Sequence, residues 1–222
     1  MESIHLHRNS LRKLTSGAGF TLVELMVVLA IIVVISGIVL SSQSSFNKSL
    51  ILANTAYDIG LTLRSAQTFG LSSRAAAADA SVGYGLHFQT GTTDSYILFA
   101  DTAGGTSCAG MPPDCKPGDH VYTSGVDAPP VQTYELGNNM RVSDFCALSG
   151  GSWSCSAGGG LSSLDIVFAR PNPDPFMSAN GSYSPVFPVT KACITITSSQ
   201  GGARFITVAE SGQIIANAAS CP

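Results

Sequence analysis

Residues 20–40 read FTLVELMVVLAIIVVISGIVL, a run whose only polar side chains are Thr21, Glu24 and Ser36. With a rise of about 1.5 Å per residue, these 21 positions predict a helix about 30 Å long, the thickness of a bilayer core. A polar patch at 41–45 follows. Apolar or small residues then return at Leu52, Ala56, Ile59, Leu63, Ala66 and Gly70, in steps of 4, 3, 4, 3 and 4. That spacing draws one stripe along a helix. No proline occurs before Pro112, so the helix is predicted to continue to about residue 71, with the stripe as a core face against a sheet.

Beyond residue 80 the period changes to alternation and β-rich runs. Runs 82–88 and 95–100 flank 89–94 as a hairpin, and runs 131–136 and 140–145 flank the turn Gly137-Asn138-Asn139. Run 164–169 follows, then a hairpin of 192–197 and 204–209 around Gln200-Gly201-Gly202, and a last short run at 213–216. Seven or eight strands beside one long helix predict an α+β domain with a mostly antiparallel sheet. The Gly/Pro-rich stretches 101–120, 147–162 and 170–188 are expected to be exposed loops.

Composition narrows the function classes. Charged residues make up 11% of the 222 positions, where about a quarter is usual. A formal net charge of −3 with only 11 Lys+Arg excludes a nucleic-acid binder that works by bulk charge. Low charge also argues against disorder, which couples low hydrophobicity to high charge. Six cysteines in a Ser/Thr/Gly-rich chain point to an oxidising compartment.

Ahead of the apolar run lie 19 residues carrying Arg8, Arg12 and Lys13 against Glu2. A basic flank of this kind predicts a cytoplasmic N-terminus. A secretory signal peptide has an apolar region of about 7–15 residues and a small-residue cleavage site. This run is longer, and its far edge offers only Ser36-Gly37. A plain membrane anchor leaves Glu24 unexplained, since a carboxylate at the centre of a span costs about 2.5–3.5 kcal/mol and calls for a partner.

Gly19-Phe20-Thr21-Leu22-Val23-Glu24-Leu25 resembles the prepilin cleavage and methylation signal of type IV pilins and type II secretion pseudopilins. In that family a short basic leader ends in Gly, Phe usually follows, and Glu is fifth in the mature chain. The resemblance is dense over residues 8–40. It implies cleavage between Gly19 and Phe20 by a prepilin peptidase and N-methylation of Phe20. It also implies pairing of Glu24 with the Phe20 amino group of a neighbouring subunit, which would set the register of assembly. Breaking such a pair leaves a buried charge, so it is strongly selective. The organisation expected is a leader over 1–19, a transmembrane and filament-core helix over 20–40, its amphipathic continuation over 41–80, and an extracytoplasmic β-rich domain over 81–222.

The order of elements, with Gly83-Tyr84-Gly85 in the first strand and a late Ile-x-Ile hairpin, resembles the GspH/FimT-type branch of minor pilins and pseudopilins, which pack two sheets on the helix. DNA-binding members of that branch carry a basic Gly-Arg-x-Arg-like loop near the C-terminus. Here Gly212-Gln213-Ile214-Ile215 has no arginine. Without Arg8, Arg12, Lys13 and Glu2 the mature chain keeps 8 basic and 13 acidic residues, so nucleic-acid binding is not expected. The reading is a minor pilin or pseudopilin subunit with other subunits, a prepilin peptidase, an inner-membrane assembly platform and the membrane as partners. The alternatives are a major pilin and a membrane-anchored surface binding module that does not polymerise.

Nearest-neighbour pairing of the cysteines gives Cys108–Cys115, Cys146–Cys155 and Cys193–Cys221, one of fifteen connectivities. The last would resemble the C-terminal disulfide loop of many pilins. No C-x-x-C pair suggests zinc, and no cofactor is expected. His5 and His7 fall in the leader, while His87 and His120 are scattered and form no hydrolase constellation. The chain is not expected to be an enzyme. Asp114 and Asp119 are too few for a calcium site and read as solvated acids. Residues 170–176, with alternate prolines, predict a stiff extended loop, and Asn180-Gly181-Ser182 fits the glycosylation sequon.

Overall fold

A computed structural model describes residues 19–72, 82–103, 118–127, 132–171 and 173–221, with the side chains of 42–46 outside that description. The chain divides into two compact units, Met1–Ser44 and Ser45–Pro222. In the first, the described residues enter helix α1 (Leu22–Leu71), and every large apolar side chain from Phe20 to Leu40 is exposed. Residues Leu22–Ser41 are long and apolar enough to cross a membrane.

The second unit begins with the rest of α1. The stripe Leu52, Ala56, Ile59, Leu63 and Ala66 is buried, as the 3-4 spacing requires of a helix with one packed face. Two antiparallel sheets complete the core. The first has the order β3 (Gln132–Glu135), β2 (Ser95–Asp101), β1 (Gly83–Gln89), β6 (Ser163–Phe168) and β7 (Pro175–Ala179). The second runs β10 (Ile214–Ala218), β9 (Ala203–Ala209), β8 (Val189–Ser198), β4 (Met140–Ser149) and β5 (Ser152–Cys155). Period-2 alternation aims Tyr84, Leu86, Phe88, Ile166 and Phe168 of the first sheet into one core. Phe145, Ile194, Ile196, Ile206 and Val208 of the second sheet join them there. The α+β class with a long N-terminal helix holds.

The two predicted hairpins form, β1 with β2 and β8 with β9. The turn at 137–139 does something else: Asn138 and Asn139 adopt positive φ, and the chain passes there from β3 in one sheet to β4 in the other. Two stretches expected as loops carry strands. β4 runs on to Ser149 and folds back as β5 within 147–162, and β7 pairs with β6 within 170–188. Short strands rich in Ser, Pro and Gly carry no clear alternation, so pairing partners rather than local pattern decide them. The described ends of 101–120 are not exposed either, since Asp101, Ala103 and Gly118 are buried.

Candidate functional site

The first sheet has a second covered face. Alternation that sends Tyr84 and Leu86 to the helix sends Gly83, Gly85 and His87 the other way. His87 sits directly opposite Asp165 in the β1–β6 register, and its Nδ1 lies 2.6 Å from Asp165 Oδ1. Both side chains are almost wholly buried, because residues 118–127 lie across this face. The Tyr122 ring packs 4.7 Å from His87 and edge-on to Phe99 at 5.2 Å. The His120 ring stacks on Phe176 at 3.9 Å.

Asp101 and Asp165 hold this segment by its backbone, and Asp127 within it binds back to the chain at 102–103. Asp101 accepts from the amides of Asp119 (3.2 Å) and His120 (2.9 Å). Asp165 accepts from the amide of Tyr122 at 3.3 Å. Asp127 accepts from Thr102, Ala103 and Thr123 at 3.0, 3.0 and 2.5 Å. Carboxylates bonded to buried amides satisfy donors that would otherwise be costly to leave unmade. Burial is the larger influence on two of them. It holds Asp165 above the usual carboxylate range, offset only in part by His87, and does the same to Asp101 against His120. The arrangement binds a loop to a sheet, and of these carboxylate oxygens Asp165 Oδ2 is buried without a partner.

Sequence reasoning had separated these residues. The sequence reads His87 as a scattered strand histidine and Asp119 as a solvated acid, whereas Asp119 is half-buried and caps its own turn by accepting from the Val121 amide at 3.1 Å. The available signal was Asp165 between Leu164 and Ile166, a charge inside an apolar strand. Asp114, Cys108 and Cys115, together with His5 and His7 of the leader, lie outside the described residues. Asn180 of the sequon accepts from the Ser162 amide at 2.6 Å, and its Nδ2 donates to the Gly160 carbonyl at 3.2 Å.

Among the described residues two disulfides are present, Cys146–Cys155 and Cys193–Cys221. Cys146 faces Cys155 on one side and Cys193 on the other in the strand register. Asp144 is close to the first bridge, but its Oδ1 accepts from Ser156 Oγ at 2.7 Å and the Ala157 amide at 2.8 Å. Sulfurs joined to each other are not metal ligands, so this trio holds no ion.

At the other end of the chain, Gly19 and Phe20 precede α1, and Phe20 is 82% exposed. The Glu24 amide donates to Thr21 Oγ1 at 3.2 Å, so Thr21 caps the helix and Glu24 occupies its first turn. The Thr-x-x-Glu spacing is that of a capping box, a local role for these residues that sequence reasoning missed although the spacing was visible. A carboxylate there also complements the helix dipole. Glu24 is exposed and makes no ion pair among the described residues.

A family model described as the prokaryotic N-terminal methylation motif matches residues 16–40. Neither the curated proteins nor the solved structures contain a match to this chain. The match brackets Gly19, Phe20, Glu24 and the exposed apolar half of α1, and it extends no further. The N-terminal segment of this chain is a type IV pilin-like precursor signal.

Proposed function

We propose that the protein is a minor pilin or pseudopilin subunit, built into a type IV pilus or a type II secretion pseudopilus. The observation that carries this is the methylation motif over a helix whose apolar side chains find no partner within their own unit. Exposed apolar surface of that extent is stable only in a bilayer or against other helices, and a filament subunit needs both environments in turn. Prepilin peptidase would cut between Gly19 and Phe20, and Phe20 would be methylated on its new amino group. The basic leader would stay in the cytoplasm, with the β-rich unit outside and the span in the inner membrane until an assembly platform extracts it. Glu24, already held in the first helical turn, is free to meet the Phe20 ammonium of a neighbour.

Mass spectrometry of the mature N-terminus tests the reading. Methyl-Phe20 is the expected first residue, and an intact leader or cleavage elsewhere overturns it. Crosslinking of a Glu24→Ala variant in the membrane then separates assembly from anchoring. A subunit loses its crosslinks, while a binding module that never polymerises is unaffected.

A further inference from the structure

Within the second unit, close to where it begins on α1, a cleft of about 260 Å³ is lined by Lys48, Ser49, Gln200, Arg204 and the Gly201-Gly202 turn. Arg204 stands at an unusual position. Alternation along β9 puts it on the same face as Ile206 and Val208, which point into the core. Its guanidinium carries five N–H donors. One terminal nitrogen donates to the Ser49 hydroxyl at 2.9 Å and the other to the Ala203 carbonyl at 2.9 Å. The Nε is buried without an acceptor. Among the described residues no carboxylate pairs with Arg204 or with Lys48. Two unpaired cations therefore share one cleft in a chain whose net charge is negative, and such a cleft is complementary to an anion with several oxygens.

The position of Lys48 in the chain selects the source of that anion. Lys48 is seven residues past Ser41, where the membrane-compatible run ends. Seven residues reach at most about 25 Å even when extended, so the covalent chain keeps Lys48 close to the headgroup layer of the leaflet it leaves. We propose that the Lys48–Arg204 cleft binds the phosphate of an anionic glycerophospholipid while the chain resides in the membrane. The guanidinium would give directed hydrogen bonds to phosphate oxygens, Lys48 a nearby point charge, and Ser49 and Gln200 neutral donors. The inference rests on the membrane-resident stage of the function proposed above.

The test is native mass spectrometry of the full chain in neutral detergent, titrated with phosphatidylglycerol, phosphatidylcholine or inorganic phosphate. The expected result is one retained phosphatidylglycerol, favoured at least about fivefold over phosphatidylcholine and not displaced by equimolar inorganic phosphate. Removing one juxtamembrane cation weakens such binding about fivefold. Lys48→Gln is therefore expected to lose that factor and Arg204→Gln at least as much, while Arg204→Lys keeps part of the binding. Lys48 is only half-buried, so its variant reports even if Arg204→Gln does not fold. Equal retention of the two lipids, or unchanged retention in Lys48→Gln, overturns the proposal. Displacement by equimolar phosphate overturns it as well, because the cleft would then take a free anion. The same spectra weigh the N-terminus. A chain cut after Gly19 and methylated, but without lipid selectivity, sinks the cleft alone; an uncut chain with selectivity sinks the processing reading alone.

Discussion

His87 and Asp165 face each other across β1 and β6 with 2.6 Å between Nδ1 and Oδ1, buried beneath Tyr122. The pair ties two neighbouring strands and, through the Asp165 bond to the Tyr122 amide, the 118–127 segment. The carboxylate is buried deeply enough that its proton is held more tightly than in the unfolded chain. Stability then depends on pH in a direction opposite to that of an ordinary surface carboxylate.

The sign follows from proton binding. Above the ordinary carboxylate value of about 3.9, the unfolded chain releases the Asp165 and Asp101 protons before the folded one does. The contribution of these groups to stability is therefore greatest at low pH and falls as pH rises up to their raised folded values. Asp165→Asn should remove the Asp165 share of that slope. Thermal unfolding followed by circular dichroism from pH 4 to 8 checks it. The midpoint of the variant relative to wild type is expected to climb with pH, and a constant offset would show that Asp165 contributes no linkage.

Tyr96 offers an alkaline counterpart. Burial pushes its hydroxyl up to about 12, against a lowering bond to Thr62, whose Oγ1 lies 3.1 Å from the tyrosine oxygen. The unfolded phenol ionises near pH 10, so stability is lost between about pH 10 and 12 as the unfolded state alone sheds its proton. Tyr96→Phe should lose about 1 kcal/mol at neutral pH from the missing hydrogen bond, and should also flatten the alkaline decline. Urea unfolding at pH 7 and pH 11 separates the two effects.

Both disulfides should stabilise, in a definite order. Cys193–Cys221 spans 28 positions and Cys146–Cys155 only 9. On the chain-entropy model these are worth about 3.6 and about 2.7 kcal/mol. The second should deliver less than its figure, because the β4–β5 ladder already holds Cys146 opposite Cys155. Urea midpoints of the paired Cys→Ser variants are expected to fall further for 193/221 than for 146/155.

Gly70 tests the contact between α1 and β6. A Cβ there would run into the backbone carbonyl of Phe168, while at Gly37 it would meet nothing within 4 Å. Gly70→Ala gains helix propensity of about 1 kcal/mol but forces the helix off the strand, an overpacking cost of about 1–3 kcal/mol. A net loss is expected in thermal unfolding of the second unit, with no such loss for Gly37→Ala.

What the chain declared by itself was whatever depends on near neighbours in sequence. Apolar run length marked the membrane-compatible half of α1, and 3-4 spacing marked Leu52 to Ala66 as its buried face. Alternation around Gly-containing turns found the β1–β2 and β8–β9 hairpins. The precursor signal was legible because its residues are contiguous, and so was the Thr-x-x-Glu spacing of the Thr21–Glu24 cap. Tertiary structure decided what depends on distant partners. β5 and β7 exist because β4 and β6 offer edges to pair with, and the 137–139 turn changes sheets because the two sheets close over one helix. His87, Asp101 and Asp165 were buried, and Asp127 met residues 102–103, only when 118–127 crossed the outer face. Arg204 and Lys48, 156 positions apart along the chain, met in one cleft only through the packing of β9 beside α1. Local periodicity carries the direction in which a side chain points; which distant segment covers it is set by packing, and no short window of sequence contains that.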